Sequence, residues 1–482
     1  QLSRRQVIEE AGSGRLRFTH DKLREAAYAG IETARRVLAH RRLAEVISST
    51  TDGEPGLETV AALGYHWSAA LEHERAWPML RRAAELSVGI HAHGPAINYL
   101  RAALLELGAL GFDPHLPPAV ELREALGDAL EADGHYPEAA REFTALYQQS
   151  REQNPVARAR SLRKRGRALD VLFHNNDALD CYQEASALLD TVPSSAHTRD
   201  WISERIEVRT EILVTTYFLA DIDANLFDVE EFRREVDRYG TPLQLARAYN
   251  ALWSHRLRME RYALSDETVD MARTVLASAE DSGDEREITD GLFVVAFAKV
   301  LHDEFTAAER FFHRTIARAR ECGDHKLEMR ALTYLTMTHR RRRDTDRVEQ
   351  FGRASLEVST RIGIPTYIAA ARAQLGWVEW TRGNSERAFA LLTAAIDSWV
   401  ERVMAWPFQW LADLPLMALE FERGDLEAAA DVTESLLADR AQALPEALTS
   451  ALRFLRGTER ADPRLSSRIA AVLEQARLHS YL

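Results

Sequence analysis

The sequence predicts an all-α protein built from stacked helical hairpins. Segments of 12–18 residues carry apolar side chains at positions i, i+3, i+4 and i+7, which is the period of one face of an α-helix. The alternation of apolar and polar residues that is typical of half-buried strands is almost absent. Most of the 15 prolines and 23 glycines fall in the short polar segments between the helical stretches, where helices begin and end.

The hairpins repeat at a nearly constant interval. Residues that follow the turn between the two helices of a hairpin are separated by steps of 40 in the second half of the chain, at Ala308, Val348, Ala388 and Ala428. Glycines that follow the second helix of successive hairpins also step by 40, at Gly283, Gly323 and Gly363. Glycine at this position is typical of a left-handed helix C-terminal cap.

Residues 126–143 resemble the tetratricopeptide repeat, with a large, a small and an aromatic residue in the order that this repeat uses. We expect Gly127 and Ala139 to let the two helices approach closely, and Phe143 to fill the gap between neighbouring hairpins. The period of 40 residues exceeds the usual ~34 and therefore indicates longer helices. The resemblance implies a superhelix of hairpins, an α-solenoid.

The first fifty residues differ from the repeats in charge and pattern. They carry 10 basic and 6 acidic residues, whereas the whole chain has a net charge of −13. Residues 15–28 predict a short strand that leads through His20 and Asp21 into a helix, and residues 35–45 read Arg-Arg-x-x-x-His-Arg-Arg-Leu-Ala-Glu. This run resembles the end of the winged-helix domain of STAND-class signalling ATPases, which include large ATP-binding LuxR-type transcriptional regulators. The similarity continues to about residue 107.

In STAND proteins a nucleotide-binding domain precedes the winged helix, and a tetratricopeptide-like sensor array follows it. The resemblance implies that His20 and Asp21 help to hold the ADP-bound inactive state, with His20 near the β-phosphate. A histidine ring nitrogen can donate a hydrogen bond to a phosphate oxygen. The alternative is that His20 caps the helix or packs at the end of the strand, and that Asp21 interacts with the helix dipole.

These patterns divide the chain into five predicted segments. The boundary between the two arrays is predicted at Thr191–Asp200, where Pro193-Ser194-Ser195 interrupts the rhythm. The segments are the C-terminal portion of a winged-helix domain (1–50), the first repeats (51–190), an irregular long helix pair (191–241), the 40-residue repeats (242–462) and a capping helix (463–482).

Composition excludes several classes of protein. The negative net charge argues against non-specific nucleic-acid binding by the whole chain. No stretch reaches the ~18 apolar residues that a membrane span needs, and two cysteines are too few for a disulfide framework. We therefore expect a cytoplasmic protein. Because the N-terminus has neither an initiator methionine nor an apolar signal core, we expect a fragment of a longer polypeptide.

No catalytic motif is recognisable. A P-loop places a lysine directly after glycine, and none of the four lysines (Lys22, Lys164, Lys299, Lys326) follows a glycine. The chain is therefore predicted not to be an enzyme and to hold no cofactor or metal of its own, while ATP or ADP is expected in the full-length protein. An enzyme would need an acid–base pair in a cleft that no motif indicates.

Two clusters are candidate binding residues. Residues His339, Arg340, Arg341, Arg342 and Arg343 close one predicted first helix, and they would suit an acidic peptide, a phosphate or an acidic protein surface. The alternative is that these cations interact with the dipole at the helix C-terminus.

The second cluster is aromatic. Five of the nine tryptophans lie within 34 residues, and the candidate positions are Trp377, Trp380, Trp406 and Trp410. Tryptophans stack on flat ligands and anchor interfaces, but they also fill wide gaps in a core. Both alternatives stay open.

The functional prediction is a regulatory sensor arm of a STAND-type ATPase. An inducer, either a small molecule or a protein or peptide, would bind the concave face and alter packing against the upstream nucleotide-binding domain. The alternative is a protein-interaction scaffold without a small-molecule ligand. Direct nucleic-acid or membrane binding by this segment is not predicted, and self-association into a homo-oligomer stays open.

Overall fold

The computed structural model describes residues 8–10, 16–51, 53–150, 154–172, 174–219, 227–400 and 406–482. Its contacts divide the chain into two compact units, Gln1–Val192 and Pro193–Leu482. The division falls at Pro193, in the segment where the sequence interrupts the repeat rhythm. Each unit is described separately below.

The first unit begins with a short antiparallel hairpin in which Ile8 pairs with Phe18 and Glu10 pairs with Leu16. A strand followed by a helix is thus present where residues 15–28 predict it. The elements of this unit are β1 (Ile8–Glu10), β2 (Leu16–Phe18), α1 (Asp21–Ala29), α2 (Thr33–Thr50), α3 (Leu57–Ala69), α4 (His73–Gly89), α5 (His93–Ala109), α6 (Pro117–Ala132), α7 (Tyr136–Gln149), α8 (Pro155–Val171) and α9 (Asn175–Asp190).

Glycines allow the helices of a hairpin to pack closely in the first unit. A side-chain carbon at Gly127 would lie 2.4 Å from the Phe143 ring, so α6 and α7 could not approach as they do with any larger residue there. The Phe143 ring also lies 5.8 Å from the Lys164 ammonium nitrogen on α8, and it therefore reaches the next hairpin as predicted. Gly166 repeats the arrangement, because a side-chain carbon there would lie 2.4 Å from the Tyr182 ring.

The second unit is also a series of helical hairpins, in which consecutive helices pack against each other. The predicted all-α, tetratricopeptide-like array of hairpins is confirmed. The elements of this unit are a 3-10 turn (Ser194–Ala196), α10 (Arg199–Phe218), α11 (Val229–Tyr239), α12 (Pro242–Met259), α13 (Asp266–Ser282), α14 (Glu285–Leu301), α15 (Phe305–Glu321), α16 (His325–Arg341), α17 (Thr345–Ile362), α18 (Pro365–Thr381), α19 (Ser385–Val400), α20 (Trp410–Arg423), α21 (Leu426–Asp431), α22 (Thr433–Leu436), α23 (Glu446–Arg456) and α24 (Leu465–Leu478).

The 40-residue step has a structural basis in this unit. Ala308, Val348 and Ala388 are each the fourth residue of a second helix and are fully buried. The prediction is wrong by one residue at Ala428, which is partly exposed, because the corresponding buried residue of α21 is Ala429. The predicted glycine caps are left-handed, with φ values of 68°, 73° and 70° at Gly283, Gly323 and Gly363.

The end of the second unit folds back onto its beginning. The Arg261 guanidinium, just after α12, donates hydrogen bonds to the Ala438 and Ala441 carbonyl oxygens at 2.9 and 3.1 Å. The Ala443 amide donates in return to the Arg261 carbonyl at 2.8 Å. Arg261 and Tyr262 both have positive φ, a strained conformation for residues other than glycine. The loop after α22 is therefore fixed against the turn between α12 and α13.

The predicted capping segment forms α24, which packs on α20, α21 and α23. Its buried residues are Leu465, Ile469, Val472, Leu473 and Ala476. No helix in the described part of the chain is long and apolar enough to cross a membrane.

Candidate functional site

The first helices of successive hairpins form the inner layer of the second unit. Contacts join α10 to α12, α12 to α14, α14 to α16, α16 to α18 and α18 to α20. Because each of these helices starts about 40 residues after the previous one, side chains 40 residues apart occupy equivalent positions on adjacent helices. Asp290 on α14 and Arg330 on α16 are such a pair.

Asp290 and Arg330 belong to a group of mutually interacting polar side chains on this layer, which we call the inner polar cluster. The Tyr367 hydroxyl on α18 is hydrogen-bonded to both the Tyr334 hydroxyl and the Arg330 guanidinium. The Tyr217 and Tyr262 hydroxyls lie 3.3 Å apart. The members of the cluster are Tyr217, Tyr262, Asp290, Arg330, Tyr334 and Tyr367.

The two charges of the cluster interact but do not make contact. Burial raises the pKa of Asp290 to about 6, although the nearby Arg330 opposes the shift. Burial lowers the pKa of Arg330, but Tyr367 and Asp290 outweigh it and the pKa is raised overall. Asp290 and Arg330 form no ion pair within 4.0 Å in the described chain. Both are partly exposed, so solvent reaches them.

Aromatic rings adjoin the inner polar cluster. The ring centres of Tyr334 and Phe297 lie 4.1 Å apart, and Trp406 stacks on Tyr334 at 6.4 Å. Trp406 also lies 5.3 Å from Tyr367 and 5.7 Å from Phe408. We call Phe297, Trp406 and Phe408 the aromatic wall. The Trp406 indole N–H is buried and has no hydrogen-bond partner within the described residues.

The structure places Arg340 inside the helical core, although the sequence offered it as a binding residue. Its side chain is 1% exposed, and its Nη1 donates a hydrogen bond to the Leu411 carbonyl oxygen at 2.6 Å. The guanidinium carbon lies 5.4 Å from the Trp377 ring centre and 5.1 Å from that of Trp410. Burial lowers the pKa of Arg340 well below its ordinary value. For Arg340, Trp377 and Trp410, the geometry therefore favours the core-packing alternative.

The other residues of the run are also held by their surroundings. His339 is buried and stacks on Phe351 with a ring separation of 5.3 Å. Arg342 Nη1 donates to a Glu309 carboxylate oxygen at 2.8 Å. Trp380 Nε1 lies 3.3 Å from both carboxylate oxygens of Glu422. Their role in ligand binding stays a prediction.

Arg341 and Arg343 contact the C-terminal segment. Arg341 Nη2 donates to the His479 carbonyl oxygen at 3.4 Å, and its guanidinium carbon lies 4.3 Å from the Tyr481 ring centre. Arg343 donates to the Arg477 carbonyl oxygen. These carbonyls are at the C-terminal end of α24, where cations stabilise a helix. The arginine run therefore interacts with a helix dipole, but mainly that of α24 rather than that of its own helix.

His20 and Asp21 lie at the start of α1 and are exposed. His20 is at the N-cap position but makes no side-chain capping hydrogen bond. Asp21 is in the first turn and accepts an ion pair from Arg24 at 3.3 Å. The dipole alternative thus fits Asp21, the capping alternative does not fit His20, and a nucleotide contact stays a prediction.

Sequence reasoning missed Asp290 and Arg330 as site residues. The signal that could have found them is the repeat itself, because these charged residues occupy the position that is taken by Asn250 one repeat earlier. A hairpin array has no local reason to place charged residues at an inner, poorly solvated position.

Other polar clusters do not form a recognisable catalytic arrangement. In the first unit, the Glu106 carboxylate receives both the Ser68 hydroxyl and the His73 ring at 2.5 Å, so the acid lies between them and no base contacts the hydroxyl. No group of three or more His, Cys, Asp or Glu residues that could hold a metal ion occurs among the described residues.

No protein-family model matches the chain, and no curated protein matches it in sequence. Three solved structures are similar in part. A signal-transduction ATPase with numerous domains (STAND) that carries a tetratricopeptide repeat sensor, from Pyrococcus horikoshii, aligns over 94% of this chain with 13% identity and a TM-score of 0.42. This chain spans 59% of the length of that protein.

The other two alignments cover nearly the whole of the similar protein. Aspartyl phosphate phosphatase F from Bacillus subtilis aligns over 82% of this chain and 99% of its own, with 11% identity and a TM-score of 0.42. Yeast Tom70 aligns over 91% of this chain and 100% of its own, with 11% identity and a TM-score of 0.35.

Proposed function

We propose that this chain is the sensor and interaction arm of a STAND-type signalling ATPase. In this proposal an inducer binds the inner layer of the second unit and controls the nucleotide switch of an upstream domain. The observation that carries the proposal is the inner polar cluster, which sets a carboxylate and a guanidinium without mutual contact beside an aromatic wall. Sites of this composition, apolar with a few convergent polar groups, are typical of ligand binding.

The first fifty residues supply the proposed contact with the nucleotide-binding domain. None of the side chains of α1 is buried. Leu38, Leu43 and Val46 on α2 are 46%, 48% and 57% exposed. Neighbouring apolar side chains at such exposure are typical of a protein interface. His20 stands beside this surface in sequence, in line with the nucleotide contact that the STAND resemblance implies.

The sensor role requires that the inducer has different affinities for the two nucleotide states. The scaffold alternative requires only a partner protein, and the same exposed residues of α2 favour it. The two differ in one respect, because only the sensor role couples the arm to nucleotide release.

The His20→Ala substitution tests this coupling in the full-length polypeptide. If His20 stabilises the ADP-bound state, the variant should release a fluorescent ADP analogue about tenfold faster, since loss of a charge-assisted hydrogen bond is worth ~1.5–3 kcal/mol. His135→Ala is the matched control, because His135 is also an N-cap histidine without a side-chain capping bond. Equal release rates for His20→Ala and the unmodified protein would contradict the proposal.

A further inference from the structure

The inner polar cluster contains two charges of opposite sign in equivalent positions on adjacent helices. Asp290 on α14 and Arg330 on α16 are both partly exposed, so a small molecule can reach them. They influence each other electrostatically but are not within ion-pair distance. A molecule that carries both charges can therefore lie between them and pair with each.

Both charged groups have incomplete surroundings. The Arg330 guanidinium stacks on Phe293, with 4.2 Å from its central carbon to the ring centre, and hydrogen-bonds to the Tyr367 hydroxyl. A guanidinium has five N–H donors, so most of them stay available to a carboxylate. Asp290 has burial as the main influence on its charge, and a cation beside it would offset that burial.

A third group has an unmet requirement at the same place. The indole N–H of Trp406 is 96% buried by side-chain surface, since the residue is only 4% exposed, and it has no acceptor within the described residues. Trp406 stacks against Tyr334 and lies edge-on to Tyr367, both members of the inner polar cluster. A buried donor without a partner is rare in a completed structure and is typical of a site that a ligand or water completes.

We propose that the inner polar cluster binds a small zwitterion of the aromatic amino-acid type. Its ammonium group pairs with Asp290, its carboxylate pairs with Arg330, and its ring packs on the aromatic wall. A zwitterion satisfies both buried charges and leaves the net charge of the site unchanged, whereas an amine or an acid alone leaves one charge without a partner. This inference rests on the proposed function, because it names the chemical class of the inducer.

The proposal is tested by isothermal titration of the whole chain with three probes that share one ring. L-Tryptophan carries both charges, tryptamine lacks the carboxylate, and indole-3-propionate lacks the ammonium group. We expect L-tryptophan to bind at least tenfold more tightly than either of the other two. Equal affinities would show stacking without charge recognition, and absence of binding by all three would show that the site takes another class of ligand. Either result overturns the proposal.

Matched variants assign the charges. Asp290→Asn should abolish the preference for L-tryptophan over indole-3-propionate, and Arg330→Met should abolish the preference over tryptamine. Arg342→Met is the control, because Arg342 lies at the end of the same helix, is exposed and pairs with Glu309. Circular dichroism and thermal melts establish that each variant is folded. If both preferences survive in folded variants, the assignment of the charges is wrong.

Proton release gives an independent readout that needs no variant. With a pKa of about 6, Asp290 is half protonated at pH 6 in the free protein. An ammonium group beside it favours the carboxylate, so binding of L-tryptophan at pH 6 should release up to about half a proton, and none at pH 8. Titrations in two buffers of different ionisation enthalpy measure this number. Binding without pH-dependent proton release would contradict the ammonium position.

The two proposals fail in different ways. If L-tryptophan does not bind but His20→Ala still accelerates nucleotide release, only the ligand class is wrong. If L-tryptophan binds as expected but His20→Ala has no effect, the site exists and the STAND sensor role is wrong.

Discussion

Two arginines on α16 show how one helix can serve both the core and a binding site. Arg330 and Arg340 are ten residues apart, or about 15 Å along the helix axis. Arg340 is 1% exposed, and the Trp377 and Trp410 rings lie on either side of it. Arg330 is partly exposed, faces Asp290 and hydrogen-bonds to Tyr367.

The surroundings shift the two side chains in opposite directions. Burial lowers the pKa of Arg340, and no acid offsets it. For Arg330, Tyr367 and Asp290 outweigh burial and raise the pKa. Aromatic rings replace water around Arg340 but exclude any ligand, whereas the inner polar cluster leaves Arg330 accessible. A buried charge therefore indicates a binding site only where a ligand can still reach it.

The largest effect is expected in the core around Arg340. Trp410 is 2% exposed, donates from Nε1 to Gln442 Oε1 at 2.8 Å and lies edge-on to Tyr481. Trp410→Ala removes these contacts, and the second unit should lose about 3–5 kcal/mol of unfolding free energy, measured by urea denaturation. Trp380→Ala is the control, and it should cost less because Trp380 is partly exposed. Similar losses for both variants would show that Trp410 does not hold this core together.

A smaller effect is expected from the buried carboxylate of the same region. Burial raises the pKa of Asp413 to about 7, while the hydrogen bond from Ser435 opposes the shift. Because the folded protein binds this proton more tightly than the unfolded chain, its contribution to stability is fully present below about pH 3.8. It is lost as the pH rises through 7. Between pH 5 and pH 8 the loss should be about 2–3 kcal/mol.

Asp413→Asn should remove this pH dependence, because the amide oxygen can still accept from Ser435 and no charge is buried. Urea denaturation at pH 5 and pH 8 measures the change, and Asp439→Asn is the control at an exposed position. L-Tryptophan should leave the Asp413 titration unchanged and shift that of Asp290. A stability profile that is the same in Asp413→Asn and the unmodified protein would contradict the burial argument.

Much of the fold could be predicted because its signals are local. Gly283, Gly323 and Gly363 end helices in a left-handed conformation that glycine adopts without strain, and this appears directly in the sequence. The shift from Ala428 to Ala429 shows the limit of counting, since one additional residue changes the register but not the pattern. The bonds from Arg261 to the loop after α22 join residues up to 180 positions apart. No local pattern indicates such a contact.

The candidate site was predicted less well for a physical reason. Arginine and tryptophan look alike in sequence whether they bind a ligand or stack on each other, and the structure shows Arg340 stacked between Trp377 and Trp410. Trp406 is the one predicted tryptophan that lies beside the inner polar cluster. Asp290 and Arg330 are ordinary helix residues in sequence, and only the three-dimensional register brings them onto one inner layer.

The most direct test of this comparison is the affinity for L-tryptophan of two matched variants on one helix, Arg330→Met and Arg340→Met. Methionine keeps much of the apolar stem and removes the charge in both. We expect Arg330→Met to lower the affinity at least tenfold, and Arg340→Met to leave it unchanged, with stability equal to or above that of the unmodified protein. Retained binding in Arg330→Met, or loss of binding in a folded Arg340→Met, would contradict the assignment of the inner polar cluster as the ligand site.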